Sequence, residues 1–196
     1  LISTIPVWIS FFSFLLKIEK TNIYQIFGVI FSLIGVIAII TKSDIKIFLN
    51  LQFNKGDISM VIAMLSWAIY SSLLKKKKYE LSQLSLLQII IFTGLIFLTP
   101  IYILELNYGY KIIMGTPFIL TLIYVVIFPG LLAFIFWIKG ISIIGANRAG
   151  VFLHLMPIFG STLAIIIFNE KFMYYHIFGA IFIILGLVLS NKKIYK

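Results

Sequence analysis

Residues 19–35 read EKTNIYQIFGVIFSLIG, and residues 170–186 read EKFMYYHIFGAIFIILG. A shift of 151 residues, from 19 to 170, lays one stretch on the other without a gap. Glu19-Lys20 falls on Glu170-Lys171, Tyr24 on Tyr175, and Ile26-Phe27-Gly28 on Ile177-Phe178-Gly179. Ile30-Phe31 falls on Ile181-Phe182, and Gly35 on Gly186. Carried further towards the N-terminus, the same shift lays Pro6 on Pro157 and Ser10 on Ser161. Chance matching in an apolar chain supplies Ile and Phe pairs. It does not readily supply Pro, Glu-Lys and two Gly at fixed spacing.

The repeated unit lies in a chain built for lipid. Of its 196 residues 62% are hydrophobic and 11% charged, whereas a soluble domain is about 45–50% apolar and about 25% charged. A chain this size cannot bury that much apolar surface in its own core, so lipid must solvate the remainder. Cysteine is absent, which excludes disulfides, thiolate metal sites and iron–sulfur clusters. With 2 His and 6 acids, spread along the chain, a metal cage is not expected either. The formal charge of +10 comes from Lys residues placed between apolar runs, the pattern of a membrane-facing loop and not of a nucleic-acid surface. The chain opens on Leu1 inside an apolar run, with neither charged leader nor small-residue cleavage site. It therefore reads as N-terminally truncated, and not as starting with a signal peptide.

A membrane-crossing helix needs about 20 apolar residues. Charge-free runs of that kind occur at Leu1–Leu16 (cut short), Thr21–Thr41, Ile58–Leu74, Leu81–Leu104, Ile112–Ile138, Ala149–Asn169 and Phe172–Ser190. No Lys or Asp lies inside them, where each would cost about 2.5–3.5 kcal/mol. The runs are continuously apolar, which excludes the alternation of a membrane β-barrel. Asp57 is the expected N-cap of the third helix, and Gly145-Ala146-Asn147 ends one helix and opens another.

Five helices separate the start of one copy of the repeat from the start of the other. Five is odd, so the second copy crosses the bilayer in the opposite sense. The expected fold is an all-α polytopic membrane protein with an inverted repeat of five-helix units, seven of ten helices being present. Residues 1–41 then close the first repeat, 42–56 connect, 57–191 form the second repeat, and 192–196 are a basic tail. Loops on the side of the C-terminus carry Lys17, Lys20, Lys75, Lys76, Lys77, Lys78, Lys139, Arg148, Lys192, Lys193 and Lys196, against Lys42, Lys46, Lys55, Lys111 and Lys171 opposite. The excess places the C-terminus in the cytoplasm, with the chain in the inner (plasma) membrane.

The chain resembles the drug/metabolite transporter superfamily, in its EamA-type branch. The resemblance rests on Pro6-Val7, Glu19, Gln25, Gly28 and Gly35-Val36, then on Gly56-Asp57, Ala63 and Ser66-Trp67-Ala68-Ile69-Tyr70. It continues through Gly140, Ile144-Gly145-Ala146, Ala149-Gly150, Leu155-Met156-Pro157, Glu170, Gly179-Ala180 and Gly186. It implies ten helices, cytoplasmic termini and a central substrate cavity. Pro129-Gly130-Leu131-Leu132 departs from the family, which often has a small polar residue there.

Pro6 and Pro157 break helical bonds to Ile2 and Leu153, leaving carbonyls free for a hinge or a site, or else making simple packing kinks. His154 is the one ionisable group well inside a span. It either binds substrate or carries a proton, or else is a neutral imidazole bonded between helices. Trp67, Tyr70 and Ser71 share a helix face and suit a cavity wall for a ring or a cation; an interfacial aromatic belt is the alternative. Trp8, Trp137 and Ser161 complete the candidate substrate-binding set. Gly28/Gly35 and Gly179/Gly186 read as packing seams. Glu19 and Glu170 fall at hairpin turns, each complementing the next helix N-terminus or serving in a gating salt bridge.

These readings converge on transport of a small organic metabolite by alternating access. With no acid or Arg mid-membrane, a neutral, zwitterionic or cationic solute such as an amino acid is expected. An integral-membrane enzyme and a non-transporting scaffold are the alternatives, and no paired carboxylates or Ser-His-Asp set favours the enzyme. No cofactor and no nucleic acid is expected; the partners are a small-molecule substrate and the lipid bilayer, and a homodimer is allowed.

Overall fold

The computed structural model describes residues 1–50, 54–76, 81–109 and 114–192. Lys77, Lys78, Lys111, Lys193 and Lys196, counted above for orientation, lie outside them. All regular structure among the described residues is helical: α1 (Ile5–Leu15), α2 (Ile23–Ile40), α3 (Ile45–Leu49), α4 (Lys55–Lys75), α5 (Gln83–Asn107), α6 (Thr116–Val125), α7 (Ala133–Ile144), α8 (Ala146–Val151), α9 (Met156–Phe168) and α10 (Tyr174–Ser190). A π-helical turn, Val126–Leu132, joins α6 to α7, so Thr116–Ile144 forms one apolar rod. A 3₁₀ turn, Phe152–Leu155, joins α8 to α9 in the same way.

Each expected span has its helix. Five are long and apolar enough to cross a membrane: Ile23–Ile40, Lys55–Lys75, Gln83–Asn107, Thr116–Ile144 and Ala146–Phe168. Ile2–Leu15 and Tyr174–Ser190 are shorter apolar helices. Two local details differ from the sequence expectation. The connector after α2 holds the five-residue α3, started by Asp44, whose Oδ1 accepts from Lys46 N at 2.8 Å. The cap of α4 is Asn54 and not Asp57: Asn54 Oδ1 accepts from Gly56 N and Asp57 Oδ2 from Asn54 N, both at 2.7 Å. Asp57 is thus the returning partner of a capping box.

The chain forms two compact units, residues 1–77 with 141–196, and residues 78–140. The second holds α5, α6 and most of α7, with large apolar side chains such as Phe92, Ile96 and Phe97 exposed. That is the surface of helices whose solvent is lipid.

The first unit is organised around α2 and α10. A Cβ on Gly28 would meet the carbonyl oxygen of Gly186, and one on Gly186 that of Gly28. Gly35 and Gly179 stand in the same mutual relation. The partner number falls as the first rises, so the helices are antiparallel, with bare backbones touching at both ends of the seam. The contacts come in pairs related by the shift of 151. Gly28 meets Ser190 as Gly179 meets Ile39, and Gly186 meets Ser32 as Gly35 meets Ile183. Such reciprocity defines a two-fold relation between the two copies. Phe31 and Phe182, repeat mates themselves, stack with centroids 5.9 Å apart and planes at 15°.

Helix α1 packs on α4 through hydroxyls. Thr4 Oγ1 approaches Met64 Sδ at 4.0 Å, Ser72 Oγ donates to Ile9 O at 3.2 Å, and Ser13 Oγ donates to Ser72 Oγ at 3.1 Å. Numbers rise together along this contact, so α1 and α4 run parallel. They fall along the contact with α8: Glu19 lies against Ala146, Ile9 against Gly150 and Ser3 against His154. The directions fit a chain that crosses back and forth.

Candidate functional site

Pro6 and Pro157 occupy equivalent places. Each is the second residue of an α-helix, α1 or α9, and each follows a 3₁₀ turn, Ile2–Thr4 or Phe152–Leu155. The carbonyls expected to be orphaned are not. Ile5 N–H bonds to Ile2 O, and Met156 N–H to Leu153 O. The chain tightens from i→i+4 to i→i+3 before the proline and so reuses the acceptor.

The acceptor that is used across helices is one residue further on. His154 is fully buried. Its Nε2 lies 2.8 Å from Ser3 O, and its Nδ1 lies 2.5 Å from Ser32 Oγ. A carbonyl only accepts, so Nε2 carries the proton; in the neutral ring Nδ1 then accepts from the Ser32 hydroxyl. Ser32 Oγ also faces its own helix at Gly28 O, 2.8 Å away. One imidazole thereby joins the turn before α1 to the middle of α2, beside the glycine seam.

A second cross-chain contact closes one end of this unit. Gly145, at φ +88°, separates α7 from α8. Glu19 Oε1 accepts from Ala146 N and Oε2 from Asn147 N, both at 3.0 Å. A Cβ at Gly145 would run into the Glu19 carboxylate. Asn147 Nδ2 donates to Thr21 Oγ1 at 3.3 Å. Glu19 therefore does complement a helix N-terminus, but not that of the next helix. The start of α2 is capped locally, Asn22 Oδ1 accepting from Gln25 N at 2.8 Å. Lys75 Nζ donates to Ser142 O at 3.3 Å, and Lys192 Nζ lies 4.9 Å from the Tyr24 ring centroid. The opposite end gathers Lys42, Asp44, Glu170, Lys171, Tyr174 and Tyr175 around a crevice of about 580 Å³.

The remaining candidates are dispersed. Trp67 and Tyr70 are adjacent on α4, with centroids 5.4 Å apart, and the Tyr70 hydroxyl is buried without a hydrogen-bond partner among the described residues. Ser71 is fully buried on the same helix. Trp8 lies against Phe11 and Phe12 on α1. Ser161 Oγ donates to Ile158 O of its own helix, at 3.1 Å. Trp137 belongs to the other unit. Among the described residues no group of three or more His, Asp or Glu side chains could hold a metal ion.

The EamA-like transporter family matches residues 54–192. The chain belongs to that family. Its EamA-type relatives include proteins carrying the description "uncharacterized transporter". One, from Archaeoglobus fulgidus, is 25% identical over 174 residues, covering 89% of this chain and 60% of the relative. YetK of Bacillus subtilis is 24% identical over 196 residues, covering 98% and 58%. A Clostridium kluyveri protein is 28% identical over 193 residues, covering 94% and 60%. This EamA chain thus spans about three fifths of the length of the curated relatives it matches. No solved structure gives a significant match. Membership makes it a multi-pass membrane protein, in keeping with its apolar helices.

Ser32, Asn147 and the partner of Glu19 were not visible in the sequence. Each acts through a residue more than a hundred positions away. The one available hint was that Glu19 and the Gly145-Ala146-Asn147 turn both lie at helix ends.

Proposed function

We propose that the protein moves a small neutral, zwitterionic or cationic organic solute across the inner membrane by alternating access, its two repeats rocking about each other. The observation that carries this reading is the reciprocal seam, Gly28 on Gly186 and Gly35 on Gly179. A two-fold relation between oppositely threaded units lets them exchange roles, turning an opening on one face into an opening on the other. The paired rings of Trp67 and Tyr70, with a Tyr70 hydroxyl that has no partner among the described residues, support a solute-facing wall on α4. Aromatic faces attract a cation or stack on a ring, and a buried hydroxyl without a partner gains from a polar solute.

In the same reading His154 is a neutral lock between helices and not a solute ligand, because both ring nitrogens are engaged by protein groups. The Lys-rich end that carries the C-terminus faces the cytoplasm. Flux of labelled amino acids and organic amines into proteoliposomes holding the full-length protein tests the proposal. Saturable uptake of such a solute supports it; transport confined to phosphate esters, or no flux of any solute, contradicts it.

A further inference from the structure

Beside the α2–α10 seam lies an apolar groove of about 840 Å³. Phe31 of α2, Phe152 of the turn before α9, and Leu185 and Val188 of α10 line its length, and Asn191 and Lys192 stand at one end. The chemistry of that end is peculiar to one copy of the repeat. Under the shift of 151, Asn191 and Lys192 fall on Ile40 and Thr41, and both pairs are in the chain. Leu185 and Val188 fall on Ile34 and Ile37, which are exposed on α2 as Leu185 and Val188 are on α10. The two faces are alike in apolarity and in exposure. One ends in a cation and the other does not.

We propose that this groove binds one anionic phospholipid of the cytoplasmic leaflet, with an acyl chain along Phe31, Phe152, Leu185 and Val188 and the phosphate on the Lys192 ammonium. The leaflet follows from the orientation proposed above; the site itself does not depend on transport. The apolar walls cannot choose a ligand, because lipid tails are as apolar as Leu. Selection falls to the polar end. Asn191 Nδ2 donates to Leu187 O at 2.9 Å and so closes the end of α10. The C-terminal end of a helix carries partial negative charge, so the attraction for an anion comes from Lys192. Tyr24 steadies that side chain, with Nζ 4.9 Å from the ring centroid. A ring face attracts the ammonium without taking its N–H donors, which stay available to phosphate oxygens. A zwitterionic head group brings a cation of its own against Lys192. A free phosphate has no chain to lay in the groove. An anionic phospholipid matches both ends at once.

The test is lipid retention by the full-length protein, stripped of lipid in detergent and titrated with phosphatidylglycerol or with phosphatidylcholine of identical chains. Native mass spectrometry counts the bound lipid. Wild type is expected to hold phosphatidylglycerol the more tightly. K192Q should weaken phosphatidylglycerol about fivefold, the effect of one Lys at a membrane surface, and leave phosphatidylcholine unchanged. V188W, at an exposed position, fills the groove and should weaken both lipids. K75Q removes a charge that lies outside the groove, where Lys75 Nζ meets Ser142 O, and should change neither. Equal retention of the two lipids by wild type would overturn the site, and so would an unchanged preference in K192Q. A loss in K75Q as large as in K192Q would mark diffuse surface charge and overturn it too. V188W without effect on either lipid would take the chain out of the groove, as would glycerol phosphate competing at the same concentration as the whole lipid. Should V188W not fold, K192Q and K75Q decide. Lipid counting needs no flux, so a protein that moves no solute loses the transport reading and keeps this one. Equal retention of the two lipids by a protein that transports sinks only the lipid site.

Discussion

His154 Nε2 hydrogen-bonds to the carbonyl of Ser3, the residue 151 positions before it, at 2.8 Å. That separation is the repeat shift, so His154 touches its own counterpart, and the two-fold axis of the unit passes through the contact. Phe31 and Phe182 mark the same axis a second time, on α2 and α10.

The His154 bond makes one prediction about stability and another about pH. His154→Ala leaves the part-buried Ser3 carbonyl without its imidazole partner and opens a void. We expect a loss of about 2–4 kcal/mol in detergent, measured by reversible unfolding. Because both ring nitrogens are engaged by protein groups, the pH profile of residual transport should keep its shape. A profile flattened by the substitution would instead make His154 the proton carrier.

The glycine seam is tested by adding one methyl group at a time. Gly28→Ala and Gly186→Ala each drive a Cβ into a facing carbonyl. Each should cost about 1–3 kcal/mol or more, since backbone cannot swing away as a flexible side chain does. Gly94→Ala, in the middle of α5 with nothing within 4 Å, should be neutral or stabilising by about 0.5–1 kcal/mol. Equal effects at Gly28 and Gly94 in thermal melts would remove the seam from the explanation.

Trp67 is predicted to act on affinity. Trp67→Ala should raise KM for a cationic or aromatic solute by about 3–30-fold with kcat nearly unchanged, the range of a cation–ring contact. Concentration-dependent uptake in proteoliposomes reads this directly. An unchanged KM would return Trp67 to the role of an interfacial anchor.

Periodic and repeated features were legible in the sequence, and contacts across the chain were not. The seven apolar runs correspond to seven helical rods because lipid dictates length and apolarity residue by residue. Gly28, Gly35, Gly179 and Gly186 announced a seam because a missing side chain has few other uses on an apolar helix. The proline reading failed at the level of single bonds. The sequence pointed to free carbonyls at Ile2 and Leu153, whereas a 3₁₀ turn satisfies both, and local winding is a cheaper repair than an orphaned acceptor in lipid. Asp57 was misplaced by three residues because Asn54 and Asp57 share one capping box, and either is a good cap by type alone. Glu19 could not be assigned its partner from sequence, since Ala146 reaches it only after 126 intervening residues have folded.

The threading of the two copies is open to one direct measurement. Lys20 and Lys171 are repeat mates, both exposed, beside the Glu19 and Glu170 turns. Single K20C and K171C variants of the full-length protein, in sealed vesicles of known orientation, are treated with a membrane-impermeant thiol reagent. Labelling of the two from opposite sides is the expected result. Labelling of both from the same side would contradict the inverted repeat, and with it the exchange of roles on which the proposed transport depends.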